Sequence, residues 1–397
     1  MVLTLVVLAA QWGSRQPAPT EELNQSIMQR IATILRYTAF VPDVDFTNWE
    51  AVAAEHQGEY QVAQTAEQYA DRVSNILRGY GVSHIGIVPP GEAIGEATET
   101  FGFDSMKSDG KWVVTRVFAG TEAEQAGLHA GLVLESKVRM DDDRIVVSFY
   151  DDSHALQAKS IHHVKAVLRM PPELVELDKD ASVLEISDFA KGYDPGEMDD
   201  LMKRVARVPY LVIDLRGNVG GFPRNACQFL GYFIDGGTRF GATISRDSMA
   251  EYLPNGADSS AERTRAVNKI KADDAMIVKK SVLRYPGHVA LLVDGRTRST
   301  GEVVATALRD WAAVPIFGTP SSGQVLEMMG EDLPGGYTLY FPERDYWTAK
   351  GERLEGHPIQ PDFPSAKDSE EAGPTLPPLQ LRAARWLRLN YPRHGNS

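Results

Sequence analysis

A run of almost uninterrupted apolar residues at positions 210–216 constrains the fold more than any other feature of the sequence. A strand that is apolar at nearly every position has to be covered on both faces, which is typical of parallel sheets between layers of helices. A helical pattern follows at 226–233, and strand and helix alternate again through 289–293, 299–311 and 314–318. This alternation predicts an α/β core with a mostly parallel sheet.

Length and composition indicate the class of protein. The chain has 397 residues, which indicates two or more domains, and its 43% hydrophobic and 24% charged residues are ordinary for a soluble globular protein. The net charge of −13 argues against nucleic acid or an anionic membrane surface as a partner. Cys227 is the one cysteine, which excludes an internal disulfide and a cysteine-based metal cluster. The nine histidines lack a zinc-binding spacing, and we predict neither a metal nor a cofactor.

The first ten residues are apolar but too few to cross a bilayer, and no later segment resembles a membrane span. These residues resemble the apolar part of a signal peptide but lack its positively charged start. A first helix or strand packed into the fold is an equally favoured interpretation.

Residues 1–80 are expected to form a helical segment. Apolar residues recur there in two stripes at helical spacing, namely Leu23, Ile27, Ile31 and Ile34, then Tyr69, Val73 and Leu77. The second stripe ends in a glycine-containing stop signal at 78–81. A short strand is predicted at 82–90, and it carries His84. A lone histidine beside a strand is more often structural than catalytic.

The segment at 96–172 has a different, β-rich pattern. Residues 111–117 alternate as in a strand, and residues 120–131 form a short helix that ends in glycine and an apolar turn. This order resembles a PDZ domain, although Leu132 stands where that family usually has aspartate. The resemblance implies a groove that takes an extended peptide or a C-terminus by strand addition. A small β-rich insert without a ligand is the alternative.

Ser299 is the candidate nucleophile. It lies between the apolar strand at 289–293 and a helix whose inward face carries Val303 and Leu308. Unpaired N–H groups and the helix dipole favour negative charge at that position. A serine that attacks a carbonyl needs such a setting, because an oxyanion forms beside it. The alternative is that Ser299 only caps the helix, with Glu302 completing a capping box.

A glycine-rich loop at 217–221 ends the central apolar strand. Glycine lets the backbone turn sharply and brings N–H groups close to a ligand. Ligands in α/β folds gather at the carboxyl ends of the strands, where this loop lies. Asp214 and Arg216 are expected to pair and to hold the loop.

The motifs, taken in order, resemble the C-terminal processing (tail-specific) protease family over residues 82–363. They are Ser83-His84, the PDZ-like insert, the strand and glycine loop at 211–221, the Ser-Thr-Gly-Glu sequence at 299–302 and the Glu-Gly-His-Pro-Ile-Gln-Pro-Asp sequence at 355–362. The resemblance implies a ClpP/crotonase-like α/β core with a mostly parallel sheet, an inserted PDZ-like β-rich domain and an N-terminal helical segment. The implied boundaries are 1–80 for the helical segment, 81–95 for the first piece of the core, 96–172 for the PDZ-like domain, 173–365 for the protease core and 366–397 for the C-terminal tail.

Carried over residue by residue, the resemblance makes Ser299 the nucleophile. Gly220 and Gly221 match the oxyanion-hole loop, and the N–H of Thr300 matches the second donor. Most members of the family use a lysine base that follows the serine in a Thr-Phe-Gly-Lys-Gly sequence. Gln324 stands in the corresponding stretch, and its amide cannot accept a proton at neutral pH.

A second arrangement in the family, that of the tricorn protease core, takes the base from a Ser-His pair before the PDZ domain. Ser83 and His84 match this pair, and Glu355 is the candidate for the late glutamate that orients the imidazole. A neutral imidazole takes the proton of the serine. A carboxylate on the other ring nitrogen fixes the tautomer and stabilises the imidazolium. His357 is a competing base candidate, since it is close to Glu355 in sequence.

The resemblance implies a serine endopeptidase that cleaves unfolded or C-terminal peptide segments, with the PDZ-like module binding or gating them. Its partners would be peptides or unfolded proteins, and an oligomer stays open. Most members of the family act outside the cytoplasm, which slightly favours the periplasm or the cell exterior, whereas the tricorn-like members act inside it, so the location stays open. A non-catalytic protein of the same fold that carries a peptide or hydrophobic ligand is the alternative, because the lysine is missing. An α/β-hydrolase esterase is disfavoured, because Thr297 stands where its nucleophile elbow requires glycine.

Overall fold

The computed structural model describes residues 16–91, 98–108, 111–118, 121–129, 131–140, 144–151, 153–166, 171–254, 256, 259–365 and 378–392. The chain divides into two compact units. The first unit contains the described residues between 98 and 166, and the second contains 16–91, 171–365 and 378–392. The apolar segment 1–10 and the start of the predicted tail lie outside the described residues.

The helices begin and end as follows: α1 Glu21–Tyr37, α2 Trp49–Glu55, α3 Gln57–Tyr60, α4 Ala66–Arg78, α5 Glu122–Gln125, α6 Pro195–Val205, α7 Pro223–Leu230, α8 Arg246–Tyr252, α9 Ser260–Lys269, α10 Thr300–Ala312 and α11 Leu379–Asn390, with a 3-10 turn at Pro334–Gly336. No helix in the described ranges combines the length and the apolar character that a bilayer crossing requires.

The strands are β1 Gly86–Val88, β2 Thr98–Thr100, β3 Phe103–Ser108, β4 Lys111–Val117, β5 Val133–Arg139, β6 Arg144–Tyr150, β7 Leu156–His162, β8 Val164–Ala166, β9 Glu173–Asp178, β10 Ala181–Glu185, β11 Tyr210–Asp214, β12 Arg239–Ile244, β13 Ala275–Ile277, β14 His288–Val293, β15 Ile316–Gly318, β16 Glu327–Asp332, β17 Thr338–Thr348 and β18 Phe363–Pro364.

The six-stranded sheet of the second unit has the order β18-β15-β14-β11-β10-β9. Neighbouring strands run parallel, except that β9 is antiparallel to β10. Side chains alternate between the two faces along a strand. Leu211 and Ile213 therefore pack in the core with α6, α7 and α10, whereas Tyr210 and Val212 pack in the core with α11. Helices on both faces explain why all five residues of β11 are buried.

A second, antiparallel sheet in the same unit joins β1, β17, β12 and β13, with β16 also paired to β17. Gly86 of β1 pairs with Tyr340 of β17, so the residues directly before β1 are anchored to this sheet. The predicted strand at 82–90 is present only as β1. It starts late because the backbone turns at Gly81 and again at His84, where φ is +72° and +58°.

Helices α1 to α4 form the described part of the predicted N-terminal helical segment. Thr20 and Thr65 cap α1 and α4 by accepting hydrogen bonds from the backbone N–H groups of Leu23 and Gln68. Such caps satisfy N–H groups that have no partner within the helix. The apolar stripes of α1 and α4 share one core with residues of β1 and β17, so this segment packs on the sheet that carries β1.

The first unit contains an antiparallel sheet with the order β3-β4-β5-β6-β7 and a separate pair, β2-β8. The strand predicted at 111–117 is present as β4. The helix predicted within 120–131 is short, and α5 begins after Thr121, whose hydroxyl accepts a hydrogen bond from the N–H of Glu124. Val114, Leu134 and Val147 are fully buried members of the core of this unit.

Replacing Leu387 by alanine tests the packing of α11. Leu387 is fully buried against the six-stranded sheet, so its loss is expected to lower the free energy of unfolding by about 2–5 kcal/mol. Leu389 on the same helix is 70% exposed, and its replacement by alanine should change the stability by no more than about 0.5 kcal/mol. Urea unfolding followed by fluorescence measures both. Equal effects of the two substitutions would contradict the observed packing of α11.

Candidate active site

Ser299 lies at the turn between β14 and α10 with φ of +54° and ψ of −128°. A residue other than glycine in such a conformation costs on the order of 1–3 kcal/mol and has to be held by its surroundings. Its backbone N–H donates to the carbonyl oxygen of Gln324 at 2.7 Å. The side chain makes no capping hydrogen bond, so the interpretation of Ser299 as a simple helix cap is wrong. Among the residues that the structure describes, no hydrogen bond engages this hydroxyl.

The glycine-rich loop lies directly against Ser299. A Cβ atom on Gly220 would come within 2.6 Å of the Ser299 Cβ and 3.0 Å of its Oγ. Thr300 donates from its hydroxyl to the carbonyl oxygen of Gly221 at 2.7 Å. The loop is held from its other side by Phe189, whose N–H donates to the carbonyl oxygen of Gly220 at 2.7 Å. Only glycine at position 220 permits this approach of backbone to serine.

The three predicted oxyanion donors differ in availability. The N–H of Gly220 donates to Oδ1 of Asn218 at 2.9 Å, so Gly220 shapes the loop and offers no free donor. The N–H groups of Gly221 and Thr300 donate to no residue that the structure describes. Thr300 is the first residue of α10, where backbone N–H groups have no partner within the helix. Gly221 and Thr300 therefore remain as a pair of donors beside Ser299.

Ser83, His84 and Glu355 form a hydrogen-bonded chain. Ser83 Oγ lies 2.6 Å from Nδ1 of His84 and 3.0 Å from Oε2 of Glu355. The Ser83 backbone N–H also donates to Oε1 of Glu355 at 2.9 Å. Val325 donates its N–H to Oε2 at 2.9 Å. The Glu355 side chain is thus buried, and both of its carboxylate oxygens accept hydrogen bonds.

The chain of hydrogen bonds assigns the proton positions. A carboxylate only accepts hydrogen bonds, so the Ser83 hydroxyl donates its one proton to Glu355. Nδ1 of His84 then carries a proton and donates it to Ser83 Oγ, which leaves a lone pair on Nε2. We predicted that Glu355 would contact the ring directly. The structure instead places the Ser83 hydroxyl between them, because Glu355 is held by the backbone on both sides.

Burial, the largest influence, lowers the pKa of His84 below its ordinary value. The Glu355 carboxylate opposes this shift, and the positive charge of Arg298 adds to it. Arg298 directly precedes Ser299 in the sequence. No hydrogen bond joins Ser299 Oγ to His84 within the described residues, and catalytic pairs without substrate are often separated in this way.

Other basic groups are committed elsewhere. His357 Nδ1 lies 2.8 Å from the backbone carbonyl oxygen of Glu355, so it does not continue the chain to Ser83. Lys350, the next lysine after Gln324, pairs with Asp310 at 3.2 Å. Neither side chain takes the place of the lysine that is missing at position 324. Within the described ranges, no group of three or more histidine, cysteine or acidic side chains has the geometry of a metal site.

The turn around Ser299 is joined to the glycine-rich loop by residues for which no role in the site was predicted. Asp294 accepts from the N–H of Gly217 at 2.8 Å, and the Thr297 hydroxyl donates to the carbonyl oxygen of Leu215 at 2.8 Å. The predicted pairing of Asp214 with Arg216 is present at 2.7 Å. Asp214 is the last residue of β11 and Asp294 directly follows β14, so both lie at the end of a buried strand, and this similar position was the available signal.

Comparisons with known proteins agree with this architecture. The sequence model of peptidase family S41 matches residues 180–365. A probable CtpA-like serine protease of Staphylococcus aureus (strain bovine RF122 / ET3-1) is 23% identical over 283 residues, which covers 66% of this chain and 51% of that protein. A probable CtpA-like serine protease of Staphylococcus haemolyticus (strain JCSC1435) is 25% identical over 167 residues, 42% of this chain and 29% of that protein. The chain thus spans about half, or less, of the length of these curated relatives.

A photosystem II D1 C-terminal processing protease superposes with a TM-score of 0.51 and 17% identity, covering 93% of this chain and 98% of its own. At this identity the likeness shows the fold. Residues 180–365 match the peptidase family S41 model, and the predicted resemblance of the chain to C-terminal processing serine proteases is confirmed by this match and by the CtpA-like relatives.

Proposed function

We propose that this protein is a serine endopeptidase that cleaves unfolded or C-terminal segments of peptides and proteins. The observation that supports it most is the partly buried chain Glu355–Ser83–His84, which leaves a lone pair on His84 Nε2. Its family and its CtpA-like relatives point to the same reaction class. The strained turn at Ser299 lies in the same unit, and its hydroxyl makes no hydrogen bond to any residue in the described ranges.

In the proposed reaction, Nε2 of His84 takes the proton from Ser299 Oγ as this oxygen attacks the carbonyl carbon of the scissile peptide bond. The positive charge that forms on the imidazole is stabilised through Nδ1–H, the Ser83 hydroxyl and the Glu355 carboxylate. The imidazolium then donates the proton to the leaving amine, and water hydrolyses the acyl-enzyme by the same route. Ser83 is therefore a necessary link in the proposed site.

The negative oxygen of the tetrahedral intermediate would be stabilised by the N–H groups of Gly221 and Thr300. The positive end of the α10 dipole adds to this stabilisation. Removing one oxyanion donor typically lowers kcat by about 10²-fold to 10³-fold. The hydroxyl of Thr300, bonded to the Gly221 carbonyl, keeps the two donors together.

We further propose that the first unit binds the substrate as an extended peptide, as the PDZ resemblance implies. Its antiparallel sheet β3-β4-β5-β6-β7 has two outer strands, and an extended peptide can pair with such an edge. Fluorescence anisotropy of a labelled peptide with the full-length Ser299→Ala variant tests this binding. If the groove captures carboxylates, a peptide with a free C-terminus should bind more tightly than the same peptide with an amidated C-terminus. If neither peptide binds, the proposed peptide binding is refuted.

The Ser299→Ala and His84→Ala variants test the catalytic assignment with a fluorogenic peptide. Each should lower kcat by at least about 10²-fold, because nucleophile or base is lost. His357→Ala is the matched histidine control and should retain the wild-type kcat. A fluorophosphonate probe should label Ser299 in the wild type and more slowly in Ser83→Ala.

Equal cleavage by the wild type, Ser299→Ala and His84→Ala would refute this site. Absence of cleavage and of labelling in the wild type, together with tight binding of a peptide or hydrophobic ligand, would instead favour the non-catalytic binding protein that Gln324 suggests.

The pH dependence of kcat/KM reports the protonation of His84. Only the neutral ring accepts a proton, and burial and Arg298 disfavour the charged ring. The acid limb should therefore have its midpoint below about 6.5, the ordinary pKa of histidine. Arg298→Ala should move this midpoint upward, whereas Arg296→Ala, which pairs with Asp294, should leave it in place. A midpoint above 6.5 in the wild type would contradict the proposed environment of the ring.

A further inference from the structure

Glu302 is a fully buried acidic residue in the first turn of α10. No cation pairs with it among the residues that the structure describes. A buried carboxylate is costly unless hydrogen bonds satisfy it. Its Oε1 accepts from the Ser321 hydroxyl and from the N–H of Gly323 at 2.8 Å. Its Oε2 accepts from the N–H of Gln324 at 2.9 Å. The carboxylate is therefore used to hold the backbone of residues 321–324.

This backbone segment contacts both halves of the proposed site. The carbonyl oxygen of Gln324 accepts from the N–H of Ser299 at 2.7 Å. The next residue, Val325, donates its N–H to Oε2 of Glu355 at 2.9 Å. Gln324 is therefore hydrogen-bonded to Ser299, and the next residue is hydrogen-bonded to the Glu355 carboxylate.

Two further contacts fix the segment relative to Glu355. Gly323 accepts at its carbonyl oxygen from the N–H of Gly356 at 2.9 Å. Ser321 donates its hydroxyl proton to Glu302 and accepts at the same oxygen from the N–H of Ile359 at 2.7 Å. The bonds of Glu302 are thus connected, through residues 321–325, to Ser299 and to the turn that contains Glu355. A shift of this segment would change the separation between Ser299 and Glu355.

We propose that Glu302 is a positioning residue that sets the separation between Ser299 and the Glu355–Ser83–His84 chain by holding residues 321–325. This inference rests on the proposed function of Ser299 and His84. Most members of the family have a lysine that acts through its side chain. We infer that Gln324, in the corresponding stretch of this chain, acts in the site through its backbone groups. Glu302 itself does not touch the reacting atoms.

The Glu302→Gln variant tests this role. The side-chain amide of the variant has one acceptor oxygen, whereas a carboxylate has two. When this oxygen accepts from Ser321 and Gly323, the NH2 group of the amide faces the N–H of Gln324, and two donors cannot form a hydrogen bond. We expect kcat to fall about tenfold to hundredfold with KM nearly unchanged, since a small displacement of reacting groups has effects of this size. Amide hydrogen exchange in 297–301 and 321–326 should be about tenfold faster, as expected for a lost hydrogen bond.

Thr306→Val is the matched control. Thr306 is also fully buried on α10, but its hydroxyl bonds to the carbonyl oxygens of Glu302 and Val303 within the helix. This variant should lose stability, but its kcat and its amide hydrogen exchange at 297–301 and 321–326 should match those of the wild type. Ser321→Ala removes only one of the bonds to Glu302 and should change both readouts in the same direction as Glu302→Gln, which keeps the test valid if that variant does not fold.

The proposal is overturned if both Glu302→Gln and Ser321→Ala keep the wild-type exchange in these segments, or if their kcat matches that of Thr306→Val. Failure of the wild type to cleave peptides and to react with a fluorophosphonate would refute the proposed function instead. In that case the exchange measurements still decide whether Glu302 holds residues 321–325.

Discussion

The backbone hydrogen bond from Ser299 to Gln324 is the contact on which the site depends. It holds a serine in a conformation that the chain would otherwise avoid, and it does so with a residue whose own N–H is bonded to buried Glu302. The following residue reaches Glu355. Helix α10 and the turn after β17 are therefore both hydrogen-bonded to one short stretch of the loop after β15. The proposed chemistry requires all three.

The proposed use of a histidine base in place of the family's lysine has a physical explanation. A glutamine amide has no lone pair of useful basicity, so position 324 cannot supply the base. An imidazole is basic enough at neutral pH, provided that its tautomer is fixed. Here the bonds through Ser83 to Glu355 assign the proton to Nδ1 of His84. In this arrangement position 324 contributes through its backbone, which accepts from Ser299 and donates to Glu302.

The parts of the site that could be predicted are those with a local signal. Glycines at 220 and 221 mark a tight loop, and Ser299 follows an apolar strand at a helix start. The parts that could not be predicted depend on contacts distant in sequence. Ser83 lies between His84 and Glu355, separated from the latter by 272 positions, and no local pattern distinguishes a direct carboxylate–imidazole contact from one through a hydroxyl. Glu302 was predicted only as part of a helix cap, because helical spacing within one segment does not predict contacts with the separate loop at 321–324.

The sequence by itself determined the alternation of strands and helices, the burial of β11 on both faces and the family, because these follow from the periodicity of apolar residues and from local motifs. Only the tertiary structure decided which side chains meet. In the described part of the chain, the Gly220 N–H donates to Asn218, the N–H groups of Gly221 and Thr300 have no partner, and the Ser83 hydroxyl lies between His84 and Glu355. The physical reason is that hydrogen bonds depend on distances of about 3 Å between groups far apart in sequence, and such distances are set by packing.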